Sequence, residues 1–368
     1  MVIAINTIGL VRNMNYEANV FFKELIAFIA VTQPNNRFVF IVNQPLTEEL
    51  LLPQNCSCEL VGTKPNNLLQ LIIFNAFTLK SVVKKCKADV LLHMHSFCSK
   101  TINIPQIITI KNTDVVRSVF AKKIFKKSVQ KATRILVNAN DTKQSIITKH
   151  SNLNPLKFEI ITGAANGNFK SMDYLAKVFV KDGYADGRDY FLAVADSYSF
   201  HEFITLLKAF SVFKRWQKSN MKLLLIGNIL DYKQQLKEKF NTYKYRDDLL
   251  AISGISQLEK AKLMGAAYAV ILPSIQPDFF LSVIQSLQIS VPVIANNSEA
   301  LQLQFADALL YVDMQNHDSI AEQMKLLYKD ENFRTNLITN GISQIQGFNF
   351  TKSADALWQC IIIAQQVV

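Results

Sequence analysis

The chain has 368 residues, nearly half of them hydrophobic, with only 11 glycines and 9 prolines. That length and apolar content suit two domains with separate cores and exclude a disordered or low-complexity protein. The net charge is +11, and it is unevenly placed: residues 1–180 carry 22 Lys and Arg against 10 Asp and Glu, the remainder 18 against 19. A basic first half suits an acidic partner, whether a membrane surface, a lipid-phosphate acceptor or nucleic acid. Nucleic acid is not expected, because neither a binding motif nor aromatic-interleaved basic strands occur.

The chain opens with a strand, Met1–Asn6, with no basic segment before it. Helix Ala18–Ala30 and strand Arg37–Val42 follow, making a βαβ opening. The turn between, Gly9–Glu17, lies where doubly wound folds bind ligands, and Asn13 is its candidate contact. Glu59–Gly62 reads as a strand, Leu68–Lys87 as one helix, and Ala88–His93 and Gln106–Ile110 as strands. His93 and His95, at i and i+2, read as ligand contacts, as a pair of metal ligands or as satisfied strand-end residues. The longest apolar run, Leu68–Leu79, is shorter than the roughly 20 residues of a spanning helix. Five cysteines, an odd number, suggest reduced thiols. A cytoplasmic protein is expected, soluble or peripheral on the inner face of a membrane. Cys56-x-Cys58 has no matching pair nearby, so no metal is expected.

Arg117–Arg134 is the most basic helix. Lys122, Lys123, Lys126 and Lys127 share a face, and Val119, Phe120, Ile124 and Phe125 supply apolar bulk. This is a membrane or acceptor patch, or a solvated face. Strand Ile135–Asn138 and a capped helix from Asp141 follow. The polar run Lys170–Asp189 reads as the inter-domain linker. Beyond it, strands Tyr190–Ala195, Met221–Gly227, Leu249–Gly254, Tyr268–Leu272, Val291–Ala295 and Leu309–Val312 alternate with helices, which demands a parallel sheet. Helix Phe280–Leu287 carries its apolar stripe at Phe280, Val283, Ile284 and Leu287.

The stretch PSIQPDFFLSVIQSLQISVPV, Pro273–Val293, resembles the C-terminal signature of the GT-B glycosyltransferases of family 4, roughly PS-x-x-E-G-F-G-x-x-x-x-E-A-x-x-x-G-x-PV. Pro273, Ser274, Phe279, Pro292 and Val293 hold the register. Pro277 and Gln285 stand at the two glutamate positions, and Asp278, Phe280 and Ser290 at glycines. In the family's first-domain strand that ends in a His-Asp-like pair, the matching positions are Lys111 and Asn112. Where its second domain commonly offers Arg and Lys to a diphosphate, this chain has Asp196, His201 and Glu202. Phe158–Phe169 resembles the segment that closes the family's first domain, with Gly163 and Phe169 kept.

The resemblance implies an α/β GT-B fold, two Rossmann-like doubly wound domains facing across a cleft. The expected bounds are a basic acceptor-side domain at 1–170, a donor domain at 171–350 and a helix at 351–368 returning to the first. It implies transfer of a hexose from a nucleotide-sugar to a lipid-linked or polysaccharide acceptor, with no metal or other cofactor. Under it, Gln285, Asp278, Phe279, Ser282, His201 and Ser256 are candidate donor contacts, and Asn13, Lys111, Asn112 and Gly163 candidate first-domain contacts. Phe280 would place a side chain where glycine lets the backbone approach a ligand. The replacements leave a second reading open, a catalytically degenerate relative that binds a partner glycosyltransferase or scaffolds at a membrane.

Overall fold

The computed structural model describes residues 1–9, 16–44, 52–110, 118–150, 152–194, 199–227, 233–272 and 280–367. They form two compact units, Met1–Ala164 with Asn349–Val368, and Ala165–Phe348.

The first unit is built on β1 (Val2–Asn6), β2 (Arg37–Val42), β3 (Cys56–Leu60), β4 (Val90–His93), β5 (Gln106–Ile110), β6 (Arg134–Val137) and β7 (Phe158–Ile160). Their order is β3-β2-β1-β4-β5-β6-β7, and each pairing is parallel. A parallel sheet needs helical crossovers and is covered on both faces, so its strands are apolar throughout rather than alternating. In β2, Phe38 to Val42 are all buried. The winding reverses between β1 and β4. The chain's last helix, Phe350–Gln365, belongs to this unit: Phe350 meets Phe21 and Phe28 edge-on, with centroids 6.2 and 5.7 Å apart. The Ser353 hydroxyl donates to the Thr162 carbonyl at 2.9 Å.

The single helix expected over Leu68–Lys87 is two, Leu68–Ala76 and Thr78–Cys86. Asn67 caps the first through its side chain, and Phe77, at φ −115°, ends it. The break aims Leu79, Val82, Val83 and Cys86 into the core that Leu71 and Phe74 already fill.

The second unit is built on β8 (Tyr190–Val194), β9 (Lys222–Ile226), β10 (Leu249–Ile252), β11 (Ala269–Leu272), β12 (Val293–Asn296) and β13 (Leu310–Val312). The order is β10-β9-β8-β11-β12-β13, again parallel, with its reversal between β8 and β11. Apolar cores lie on both faces, one around Leu192, Val270 and Ile284, the other around Phe191, Phe210 and Phe213.

The run read as a linker is mostly helix, Tyr174–Ala185. Asp173 accepts from Ala176 N–H at 2.8 Å to start it, and Asp186 stops it in the left-handed region at φ 49°. Its Val180 and Ala185 pack in the second core. Phe169 is buried there too, so the first unit ends at Ala164, ahead of the expected residue 170.

Candidate functional site

In open α/β sheets ligands gather beyond the C-terminal strand ends at the point where winding reverses. In the second unit that point lies past β8 and β11. Asp278, Phe279, Pro277 and Asp196 lie outside the described residues, as do Asn13, Lys111 and Asn112 of the first unit. The helices that begin beside this point are described.

Helix Leu281–Gln288 starts here, and its first free N–H groups offer partial positive charge. Phe280 holds its N-cap at φ 48°, the left-handed conformation a glycine adopts without cost. The Phe280 ring turns to the core and meets Phe305 edge-on at 5.6 Å, and Phe305 stacks on Phe348 at 5.8 Å. The expectation that Phe280 obstructs backbone approach is therefore corrected: the chain keeps the glycine-type backbone and diverts the side chain. Ser290 likewise keeps φ 64°.

Helix Leu281–Gln288 is held firmly. Val283, Ile284 and Leu287 are buried in the sheet-covering core. Gln288 Nε2 donates to the Phe169 carbonyl at 3.0 Å. Helix Glu331–Gln344 lies so close at Gly341 that an added Cβ would stand 2.8 Å from Leu287 Cδ2. On this fixed helix Gln285 is 7% exposed, and its Oε1 has no hydrogen-bond partner. A buried acceptor left unsatisfied costs about 1–3 kcal/mol, so it marks a place where a donor belongs.

Ser282, one turn earlier, is buried, and its Oγ lies 3.4 Å from the Nζ of Lys260. Lys260 was not among the residues anticipated, yet it is 5% exposed. Its signal was available: on helix Gln257–Ala266 it shares the apolar face of Ala261, Leu263 and Met264, where an unbranched cation is out of place. Ser256 caps that helix, its Oγ accepting from Glu259 N–H at 3.1 Å. The preceding turn needs Gly254 at φ 72°. Ser256 thus has a defined structural role, beside the turn read as a base-binding loop.

His201 sits exposed in the first turn of helix Phe200–Gln217. Glu202, beside His201 in that first turn, is engaged locally. Its carboxylate accepts from Ser199 N–H at 2.6 Å, and Ser199 Oγ accepts from Glu202 N–H, a reciprocal capping box. Part of its charge is answered by the helix terminus it caps.

In the first unit the reversal between β1 and β4 is marked by a polar network. The Gln106 amide is oriented by donating from Nε2 to the Ser99 and Ile102 carbonyls, so its Oε1 accepts from His93 Nε2–H at 3.0 Å. His93 Nδ1 then accepts from Asn6 Nδ2 at 3.2 Å, and Asn6 Nδ2 also reaches His95 Nε2 at 3.0 Å. Asn6 Oδ1 takes Ile8 N–H. His93 is fully buried, and burial pushes its imidazole down to about 4. It is a neutral strand-end residue, bonded at both nitrogens, and only half-buried His95 reaches the site edge. Gly163 is buried just after β7 with ordinary backbone. Among the described residues no three His, Cys, Asp or Glu side chains converge as metal ligands would.

Of the basic patch, Lys122, Lys123, Lys126 and Lys127 are all exposed on helix Val119–Lys131. Val119 and Phe120, expected to add apolar bulk beside Ile124 and Phe125, are exposed as well, because the helix turns only Ala121, Ile124, Phe125, Ser128 and Val129 inward. Among the described residues no helix is long and apolar enough to cross a membrane.

Two parallel doubly wound sheets in separate units define the GT-B architecture, and comparison with solved structures agrees. A glycosyltransferase from Rickettsia africae matches with a TM-score of 0.74 at 14% identity, covering 98% of each chain. WaaG, a glycosyltransferase involved in lipopolysaccharide biosynthesis, matches at 0.75 and 12%, over 98% of this chain and 99% of its own. HepE of Anabaena, solved with UDP-glucose, also matches at 0.75 and 12%, over 100% and 99%. Residues 178–344 match the family model of the glycosyl transferases group 1. The chain thus has the GT-B fold, and most of its second unit is similar to the glycosyl transferases group 1. A curated relative, the O-antigen chain mannosyltransferase RfbU of Salmonella typhimurium, is 24% identical over 213 residues. That alignment spans about half of each protein, 57% of this chain and 55% of RfbU.

Proposed function

We propose that the protein is a glycosyltransferase that takes a hexose from a nucleotide-sugar held in its second unit. Its acceptor is a lipid-linked or polysaccharide chain in cell-surface glycan synthesis. The observation that carries this reading is Gln285. A rigid, buried helix presents an unsatisfied amide oxygen beside the reversal of the sheet. A nucleoside's ribose hydroxyl is a donor of the right kind, and an amide oxygen accepts it as a carboxylate would. The open helix terminus at Leu281 suits the diphosphate. Lys260 adds a buried cation beside Ser282. The RfbU, WaaG and HepE likenesses favour the same class of reaction.

The replacements at Asp196, His201, Pro277, Asp278 and Asn112 favour a second reading, a catalytically degenerate homologue acting as partner to an active transferase. One experiment separates the two. Thermal unfolding is followed against a panel of nucleotide-sugars and nucleoside diphosphates. A ligand at 100 times its dissociation constant stabilises by about 2.7 kcal/mol. A selective shift that Gln285→Ala abolishes supports the enzyme and names its donor. No shift with any of them, in a cooperatively folding protein, supports the degenerate homologue.

A further inference from the structure

The end of the first sheet carries a pair of thiols that the donor site does not use. β3 pairs only with β2, so its outer side is open. Successive residues of a strand face opposite ways, which puts Cys56 and Cys58 on one side and Ser57 and Glu59 on the other. Their cross-strand partners are Phe38 and Phe40, whereas Val39 and Ile41 enter the core on the opposite face. Cys56 is half-buried and Cys58 exposed.

A cation stands beside them. Lys23, half-buried on helix Tyr16–Thr32, is acted on by burial and then by Cys58. Among the described residues no carboxylate is bonded to it. Burial is the main influence against ionising either thiol; after it, Cys58 opposes the ionisation of Cys56, and Lys23 favours that of Cys58. The three groups therefore share one neighbourhood. Spacing decides what they can do. Two residues along a strand are about 6.6 Å apart, whereas a disulfide needs Cβ atoms about 3.5–4.5 Å apart. The extended strand thus keeps the pair as thiols. A metal held in line between two sulfurs, with bonds of about 2.3 Å, spans about 4.6 Å, so each sulfur leans only about 1 Å along the strand.

We propose that Cys56 and Cys58 hold one soft monovalent cation of the copper(I) class as a two-coordinate bis-thiolate. Zinc takes four ligands, and among the described residues no third His, Cys, Asp or Glu joins the pair. Copper(I) is selected by thiolates and is satisfied by two. Binding forms two sulfur–copper bonds and releases both thiol protons to water, with no change of oxidation state. A singly charged cation between two thiolates leaves one negative charge, and Lys23 is the group that answers it.

The test is anaerobic competition for copper(I) against bicinchoninate, with the full chain. The wild type should withdraw one equivalent from the chelator, and X-ray absorption of that copper should show two sulfur neighbours and no nitrogen. Cys58→Ser should weaken binding by more than about 100-fold, because even groups outside the ligand set contribute about 10–100-fold. Lys23→Met should weaken it about tenfold, and Lys23→Arg should keep most of the affinity. Cys58 is exposed, and Lys23→Met keeps the buried apolar stem, so melting temperatures should hold. Cys86, Cys98 and Cys360 are buried and remain in every variant, so copper that stays on the protein carrying Cys56→Ser with Cys58→Ser is adventitious. Undiminished binding in that double variant or in Cys58→Ser, indifference to Lys23→Met, or a nitrogen ligand in the spectrum would overturn the proposal.

Discussion

The ring of Phe280 lies edge-on to that of Phe305, 5.6 Å between centroids, while the Phe280 backbone sits at φ 48°. Two effects oppose each other at this one residue. The left-handed conformation costs a side-chain-bearing residue about 1–2 kcal/mol. The aromatic pair contributes about 0.5–1.5 kcal/mol beyond simple burial. Phe280→Gly removes both, so its net loss should be small, about 1 kcal/mol. Phe280→Ala keeps the strain and loses the ring, so it should cost roughly 2–3 kcal/mol. Urea unfolding should rank wild type first, then glycine, then alanine. If alanine proves as stable as glycine, φ at this cap carries no strain.

Ser290 offers the same test without an aromatic ring. It holds φ 64° between helix Leu281–Gln288 and β12. Ser290→Gly should relieve the strain and lose part of that gain to a freer unfolded chain, leaving a net gain of about 0.5–1 kcal/mol. A higher urea midpoint with unchanged slope is the expected result.

Gln285 should trade stability against binding. Gln285→Met keeps length and volume but replaces the orphaned oxygen with a group that needs no partner. The unliganded protein should gain about 1 kcal/mol, within the cost of a buried unsatisfied acceptor. Stabilisation by a nucleotide-sugar should vanish in the same variant. Melting curves with and without ligand measure both effects, and a variant that keeps the ligand shift would remove Gln285 from the site.

The strands were legible because buried parallel strands are continuous apolar runs, as in Phe38–Val42 and Leu223–Ile226. Helix Tyr174–Ala185 was not, because Gly183 lies inside its last turn and Gly187 just beyond it, and Asp173 and Asp186 act as start and stop only in three dimensions. At the candidate site, the helix was legible from its apolar spacing, and Gln285 was singled out only by the resemblance to the family's signature. The direction of the Phe280 ring was not legible, since composition does not reveal that a left-handed backbone persists after glycine is lost. The capping role of Glu202 was legible in principle, because Ser199-x-x-Glu202 is itself the signature of a capping box. Lys260 was overlooked because a helical lysine is usually solvated, and only its place on the apolar face distinguishes it.

His93 makes the first unit sensitive to acid. Its imidazole is bonded at both nitrogens and fully buried, and desolvation lowers it from 6.5 to about 4. Between those values the unfolded chain binds a proton that the folded one refuses, so stability rises with pH across the window. The contribution is complete above pH 6.5 and is lost as pH falls toward 4. At about 1.4 kcal/mol per pH unit the whole effect is on the order of 3 kcal/mol. His93→Gln keeps an amide that can meet Asn6 and Gln106 but cannot titrate. Urea midpoints measured from pH 7 to pH 4.5 should fall more steeply for wild type than for the variant. Parallel lines for the two proteins would show that His93 takes up its proton as readily in the fold as out of it.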